Sequence, residues 1–168
     1  LSKQTREPSL VFETLTDQTG GCPSDPTGAI GIDYYLAAWN PAFRFYNRSG
    51  VAVTPAASIS TLLGSNSGDP IVFYDAEADR YVITAMAQGL LKFAISQTSD
   101  PLNDGWHTYS VQTPGTSGLP DYPKYSIWSD GYYVSVNANA NDFYVLERDK
   151  IINGDQSASI QGSTVPGM

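Results

Sequence analysis

Three aspartates stand close to a proline and ahead of an apolar, strand-like run: Asp25 before Pro26, Asp69 before Pro70, and Asp121 two residues before Pro123. If the runs behind them are equivalent strands of a repeated unit, the three carboxylates occupy equivalent positions and can face a common axis. A ring of Asp25, Asp69 and Asp121 could hold Ca²⁺, which takes six to eight oxygen ligands. In the alternative, each Asp accepts hydrogen bonds from the next backbone amides and caps the turn that starts its strand. Paired carboxylates such as Asp69 and Asp121 would also suit glycoside hydrolysis, which needs two carboxyls about 5 to 10 Å apart, one of them protonated. Asp75, Glu77, Asp79, Asp100 and Asp130 all sit in turn contexts, and none of them stands out as an acid. The single histidine, His107, lies in a strand-like run with no nucleophile elbow nearby, which argues against a Ser or Cys triad.

Aromatic residues form a second group. Trp39, Trp106 and Trp128, with Tyr122, Tyr125, Tyr132 and Tyr133, could supply a sugar-stacking platform, because an aromatic ring offers an apolar face and a polar edge. The competing expectation is that most of them pack between sheets. Asp69, Asp121, Tyr122 and Trp128 are therefore the ligand-binding candidates, and Asp25, Asp69 and Asp121 the metal candidates. No catalytic residue emerges.

Repetition along the chain indicates what would position these groups. Asp33-Tyr34-Tyr35-Leu36, Asp79-Arg80-Tyr81-Val82 and Asp130-Gly131-Tyr132-Tyr133-Val134 each place an acidic turn residue before an apolar run, 46 and then 51 positions apart. A second apolar segment follows each, at Phe43, Leu91 and Phe143. Several short strands per unit, recurring every 40 to 50 residues or so, are a sign of β-propeller blades. Turn-formers such as Ser67-Gly68-Asp69-Pro70, Asp104-Gly105 and Asn153-Gly154 separate the strands. Helix is expected to be nearly absent. The reading is an all-β chain, a partial β-propeller of about three four-stranded blades spanning 25–67, 68–119 and 120–155. Residues 1–24 precede them as an extension, in which Leu10-Val11-Phe12 could be an outer strand. Residues 156–168 follow as a linker or the start of another blade. Three blades fall short of the four to eight that close a ring, so two apolar flanks call for further sequence or a partner chain.

At the second and third units the match extends beyond spacing. Asp69-Pro70-Ile71-Val72-Phe73-Tyr74-Asp75, Ala94-Ile95-Ser96-Gln97-Thr98-Ser99-Asp100-Pro101 and Gly105-Trp106-His107-Thr108-Tyr109 resemble, in that order, the successive strands of a bacterial propeller module. Pro120 to Tyr133 resembles its next blade, and Glu147-Arg148-Asp149-Lys150-Ile151 with Gly154 the close of that blade. The resemblance covers about residues 10 to 155. Tyr81 stands where the module usually has Trp, and Asp33 where its first blade often has His. Such modules occur in large secreted or surface-anchored proteins, often of Bacteroidetes-type bacteria that export them through the type IX system. The resemblance implies a secreted or outer-surface address and says little about ligand.

Bulk properties narrow the partners. Charged residues make up 15% of 168 and lean acidic, giving a net charge of −8. That repels phosphate backbones, and no Lys or Arg cluster offsets it, so nucleic acid is not expected as a partner. No apolar run approaches the ~20 residues of a membrane-spanning helix. Cys22 is alone, which excludes an internal disulfide and a cysteine zinc cage. Asn47-Arg48-Ser49 matches a glycosylation triplet that is common by chance. Leu1-Ser2-Lys3 has neither an initiator Met nor a signal core, and suggests a mature or excised piece. The expected function is a non-enzymatic propeller segment of an exported surface protein, a scaffold for adhesion, glycan contact or protein docking. The alternatives are an extracellular carbohydrate-active hydrolase with axis-facing carboxylates, and a structural subunit of a surface secretion or uptake complex. No cofactor is established beyond the Ca²⁺ candidate, and the expected partner is a protein or glycan ligand.

Overall fold

Among the described residues, turn signals separate twelve strands and two short helices, and within each sheet the strands pair with their sequence neighbours. The computed structural model describes residues 8–14, 23–115, 118–137 and 143–163; Cys22 lies outside the described residues. Strands β1 (Thr27–Ile30), β2 (Tyr34–Trp39), β3 (Ala42–Asn47) and β4 (Ala57–Ser58) form sheet 1. Helix α1 (Ser60–Leu63) leads to sheet 2, made of β5 (Gly68–Asp75), β6 (Arg80–Ala87), β7 (Leu90–Ser96) and β8 (Trp106–Gln112). Sheet 3 holds β9 (Asp121–Ile127), β10 (Gly131–Asn137), β11 (Phe143–Glu147) and, after helix α2 (Arg148–Ile152), β12 (Ile160–Ser163). All pairings are antiparallel. Three four-stranded sheets thus appear where three units are expected. The stretch expected as a linker or a new unit supplies the last strand of sheet 3, with Ile160 opposite Leu146. Leu10-Val11-Phe12 is not a strand.

Sheet 2 is covered on both faces, which explains why β6 reads as an unbroken buried run from Tyr81 to Ala87 and not as an alternating one. Tyr81, Ile83 and Ala85 join Leu36, Ala38, Phe43 and Phe45 of sheet 1 in one core. Val82, Leu91, Phe93 and Ile95 join Tyr132, Val134, Tyr144 and Leu146 of sheet 3 in another. Each Val, Leu, Ile or Phe side chain among them contributes about 1.5–3 kcal/mol of burial.

One tyrosine per interface fixes the order of the sheets. The Tyr81 hydroxyl donates to the Tyr34 carbonyl at 3.0 Å and accepts from the Tyr34 amide at 3.0 Å. Gly31 leaves room for that ring, since a Cβ there would lie 2.2 Å from the hydroxyl. At the same position in sheet 3, Tyr132 donates to the buried Asp75 carboxylate of sheet 2 at 2.8 Å. Arg148 closes on that carboxylate with both Nε (2.7 Å) and Nη2 (2.9 Å). The two arginines that follow acidic residues thus differ: Arg148 makes an ion pair, while Arg80 bonds backbone carbonyls at Ala78 and Asp79.

The two outward flanks differ from the apolar faces expected of them. On sheet 1, Ala37, Trp39, Ala42 and Tyr46 are buried, and Phe12 packs over Tyr35 and Tyr46 with ring centroids 5.9 and 5.4 Å away. Phe12 also lies on Gly50, where a Cβ would meet its ring at 2.8 Å. On sheet 3 the outward side alternates with the buried one. Lys124, Ser126, Ser135 and Asn137 are exposed, while Tyr133, Phe143 and Val145 are half-buried. Among the described residues no helix is long and apolar enough to cross a membrane.

Candidate functional site

The first strands of the three sheets open onto one cavity of about 540 Å³. Asp25, Pro26 and Thr27 come from the start of sheet 1; Asp69, Pro70 and Ile71, with Met86, come from sheet 2; Asp121, Tyr122, Pro123 and Lys124 come from sheet 3. The structure thus places Asp25, Asp69 and Asp121, the three metal candidates of the sequence, in the lining of one cavity.

Strand register refines their equivalence. Thr27 pairs with Ala38, Ile71 with Thr84 and Lys124 with Ser135, at matching places in the three sheets. The residue before the proline is then Asp25, Asp69 and Tyr122. All three have left-handed backbones, with φ of 40°, 50° and 53°. Asp tolerates that region through its short polar side chain, whereas for Tyr122 it is a costly conformation. Register breaks between Gly68 and Ile71 and between Ser135 and Asn137 mark bulges beside Asp69 and Tyr122. A bulge re-aims a side chain out of the pleat, and here it turns Asp69 and Tyr122 into the cavity rim. The equivalent triplet is two carboxylates and a phenol, with Asp121 one residue further out.

Hydrogen bonding separates the carboxylates again. The Asn40 amide donates to Asp25 Oδ2 at 3.2 Å and to Asp69 Oδ1 at 2.7 Å, and its oxygen accepts from the Asp69 backbone N–H at 2.8 Å. One amide therefore ties the openings of sheets 1 and 2 together. Asp121 accepts from the Tyr122 backbone N–H at 2.8 Å, which is the local capping anticipated for all three and found only here. None of the three has an ion-pair partner among the described residues. Among the described residues lining the cavity Lys124 is the one cation; its Nζ lies 3.4 Å from the centre of the Tyr122 ring and donates to the Pro123 carbonyl at 3.3 Å.

This arrangement bears on each chemistry considered. Between Asp25 and Asp69 the space is filled by an N–H donor. Among the described residues no group of three or more His, Cys, Asp or Glu side chains could hold a metal ion. Glycoside hydrolysis needs one carboxyl free to give a proton, whereas Asp25 and Asp69 share one donor and Asp121 is bonded to its own chain. His107 is half-buried in β8, its ring against Gly154.

The proposed aromatic platform does not assemble. Trp39 is buried, and Trp106 is half-buried with its Nε1 donating to the Pro101 carbonyl at 3.1 Å. Tyr125 packs on Phe73 and Phe93, and Tyr132 is interior. Tyr122 and Trp128 remain open at 65% and 69% exposure, but at opposite ends of β9. A seven-residue strand separates its ends by about 20 Å. Only Tyr122 belongs to the cavity.

Sequence reasoning missed Asn40, the residue that joins two of the three aspartates. Its only signal was an Asn-Pro turn, which carries no hint of a bridging role. Compared with known proteins, the sequence matches no protein-family model and no curated protein.

Proposed function

We propose that the chain is a non-enzymatic binding scaffold, a run of three β-propeller blades of an exported surface protein, whose contact site is the cavity shared by the three strand openings. The observation that carries this reading is the convergence of Asp25, Asp69, Asp121 and an exposed Tyr122 from three sheets on one cavity. Its walls are apolar, built from Pro26, Pro70, Pro123, Ile71 and Met86. Its polar groups are mainly acceptors. Such a cleft favours a ligand that brings hydrogen-bond donors on an apolar frame, as a sugar or a basic peptide does.

Backbone NMR of the labelled chain, titrated separately with an N-acetylglucosamine trisaccharide, neutral hexose oligosaccharides and a trilysine peptide, tests this. Saturable shifts confined to residues 25–27, 69–71 and 121–124, and lost in Tyr122→Ala, are expected for at least one probe. Shifts centred elsewhere, or none with any probe, would count against the site. Release of nitrophenol from an aryl glycoside, abolished by Asp69→Asn, would make the protein a hydrolase instead.

A further inference from the structure

On the reading that the cavity at the three strand openings is the contact site, we infer that its ligand is a lysine-type ammonium, and that Lys124 holds the ligand's place on the Tyr122 ring until it is displaced. Asp25, Asp69 and Asp121 all line the cavity, and each spends one carboxylate oxygen on a hydrogen bond. Asp25 Oδ2 and Asp69 Oδ1 accept from the Asn40 amide, and Asp121 Oδ1 from the Tyr122 N–H. The other oxygens, Asp25 Oδ1, Asp69 Oδ2 and Asp121 Oδ2, have no donor among the described residues. Neutral donors leave the three negative charges uncompensated.

Lys124 brings the ammonium of the cavity lining, yet it forms no ion pair with any of these carboxylates. Its Nζ sits over the Tyr122 ring instead, 3.4 Å from the centre. A ring face holding an ammonium, in a cavity whose carboxylates are unpaired, has the make-up of a cation receptor filled by its own side chain. Both residues are exposed and two positions apart on β9. The contact forms by folding a flexible four-carbon stem back along its own strand, and it opens as readily.

An incoming lysine makes the same ring contact and adds to it. Its three N–H donors match the three unpaired oxygens, and its apolar stem suits the wall of Pro26, Pro70 and Ile71. A neutral sugar offers donors but no charge to set against the carboxylates. The internal ammonium is a weak competitor, worth roughly two- to five-fold in affinity for an exposed contact.

NMR titration with a capped glycyl-lysyl-glycine peptide, and with the same peptide acetylated on its lysine, tests this. In the free protein the Lys124 ε-methylene protons should stand upfield, shielded by the ring. The lysine peptide should return them to their ordinary position while shifting residues 25–27, 69–71 and 121–124. The acetylated peptide, which has lost its charge, should bind roughly ten-fold more weakly. Raising salt from about 0.01 to 1 M should weaken the lysine peptide by screening. Lys124→Met should tighten it roughly two- to five-fold, and that gain should shrink in a Tyr122→Leu background, where only the charge is removed. Lys124 protons unshifted in the free protein or still upfield at saturation, equal binding of the acetylated peptide, or the same Lys124→Met gain in both backgrounds would overturn the inference. Saturable shifts at these residues from oligosaccharides alone would also overturn it while keeping the cavity as the contact site. No shifts from any probe would remove the contact site and the inference with it.

Discussion

Replacing Arg148 with Met should cost more than any surface substitution in this chain, because it leaves the Asp75 carboxylate buried without its cation. Asp75 is fully buried and Arg148 is 5% exposed. The pair joins residues 73 positions apart and, with the Tyr132 hydroxyl, ties sheet 2 to sheet 3. Removing one partner of such a pair costs about 3–5 kcal/mol. Against a total of roughly 5–15 kcal/mol for a domain, that is a large share. With a urea dependence of about 2 kcal/mol per molar, the unfolding midpoint should fall by about 2 M. The double variant Asp75→Leu with Arg148→Met removes both charges together and should cost less than Arg148→Met alone, giving a coupling of several kcal/mol in a double-mutant cycle.

Acid adds an independent arm to this test. Burial by itself would raise the Asp75 carboxyl, but hydrogen bonds from Arg148 and Tyr132 outweigh it and hold the group below the usual carboxylate range. A group lowered in the folded state contributes stability that is fully present above its unfolded value, near 3.9, and lost as pH falls through the lower folded value. Parent stability should therefore drop more steeply below about pH 4 than that of the double variant. Equilibrium urea unfolding at pH 7 and across the acid range measures both. A loss under about 1 kcal/mol for Arg148→Met, the size of an exposed pair, or additive single costs would refute the argument.

Two further outcomes follow from the same geometry. Gly31→Ala should destabilise the sheet 1–sheet 2 contact by about 1–3 kcal/mol in urea unfolding, since its Cβ would stand 2.2 Å from the Tyr81 hydroxyl and 2.4 Å from Cζ; a cost near zero would show that the ring can move aside. The Glu147 carboxyl is held down at about 2, first by the Ser159 hydroxyl and then by Lys150. Its contribution to pinning β12 should persist above its ordinary value and fade as pH falls toward 2. In an NMR titration Ser159→Ala should move the midpoint back up toward the usual carboxylate range, and an unmoved midpoint would assign the effect elsewhere.

Much of the architecture was legible because it rests on local repetition. Period-two runs between turn-formers located the strands, and the spacing of Asp33, Asp79 and Asp130 counted the sheets. The convergence of the three aspartates followed from that count. Features set by tertiary contact were not legible. Phe12 looked like part of a strand, yet it serves as a cover, because the face it meets is assembled from β2, β3 and the residues around Gly50. Ile160 to Ser163 looked like a linker because Gln161, Gly162 and Ser163 have no apolar alternation, and an edge strand with one paired neighbour needs little. Trp39, Trp106 and Trp128 are alike in sequence, and only packing separates a buried, a half-buried and an exposed ring.

The displacement of Asp121 by Tyr122 changes what the cavity can be expected to hold. Matching Asp-Pro pairs by sequence suggested three equivalent carboxylates, a set that would favour a bare divalent cation. The extra residue between Asp121 and Pro123 moves the phenol into the third equivalent place, on a left-handed backbone that a tyrosine occupies only at a cost. The Asn40 amide then takes up the space between the remaining equivalent pair. With two tied carboxylates, an aromatic face and three prolines, the rim is better matched to an organic ligand that brings its own donors than to an ion that must be surrounded by oxygen. Tyr122→Asp should therefore shift the site toward divalent-cation binding and away from the oligosaccharide or peptide probes. Calorimetric titration with Ca²⁺ should show heat only in that variant, and an equal response in the parent chain would mean that the carboxylates, and not the tyrosine, define the site.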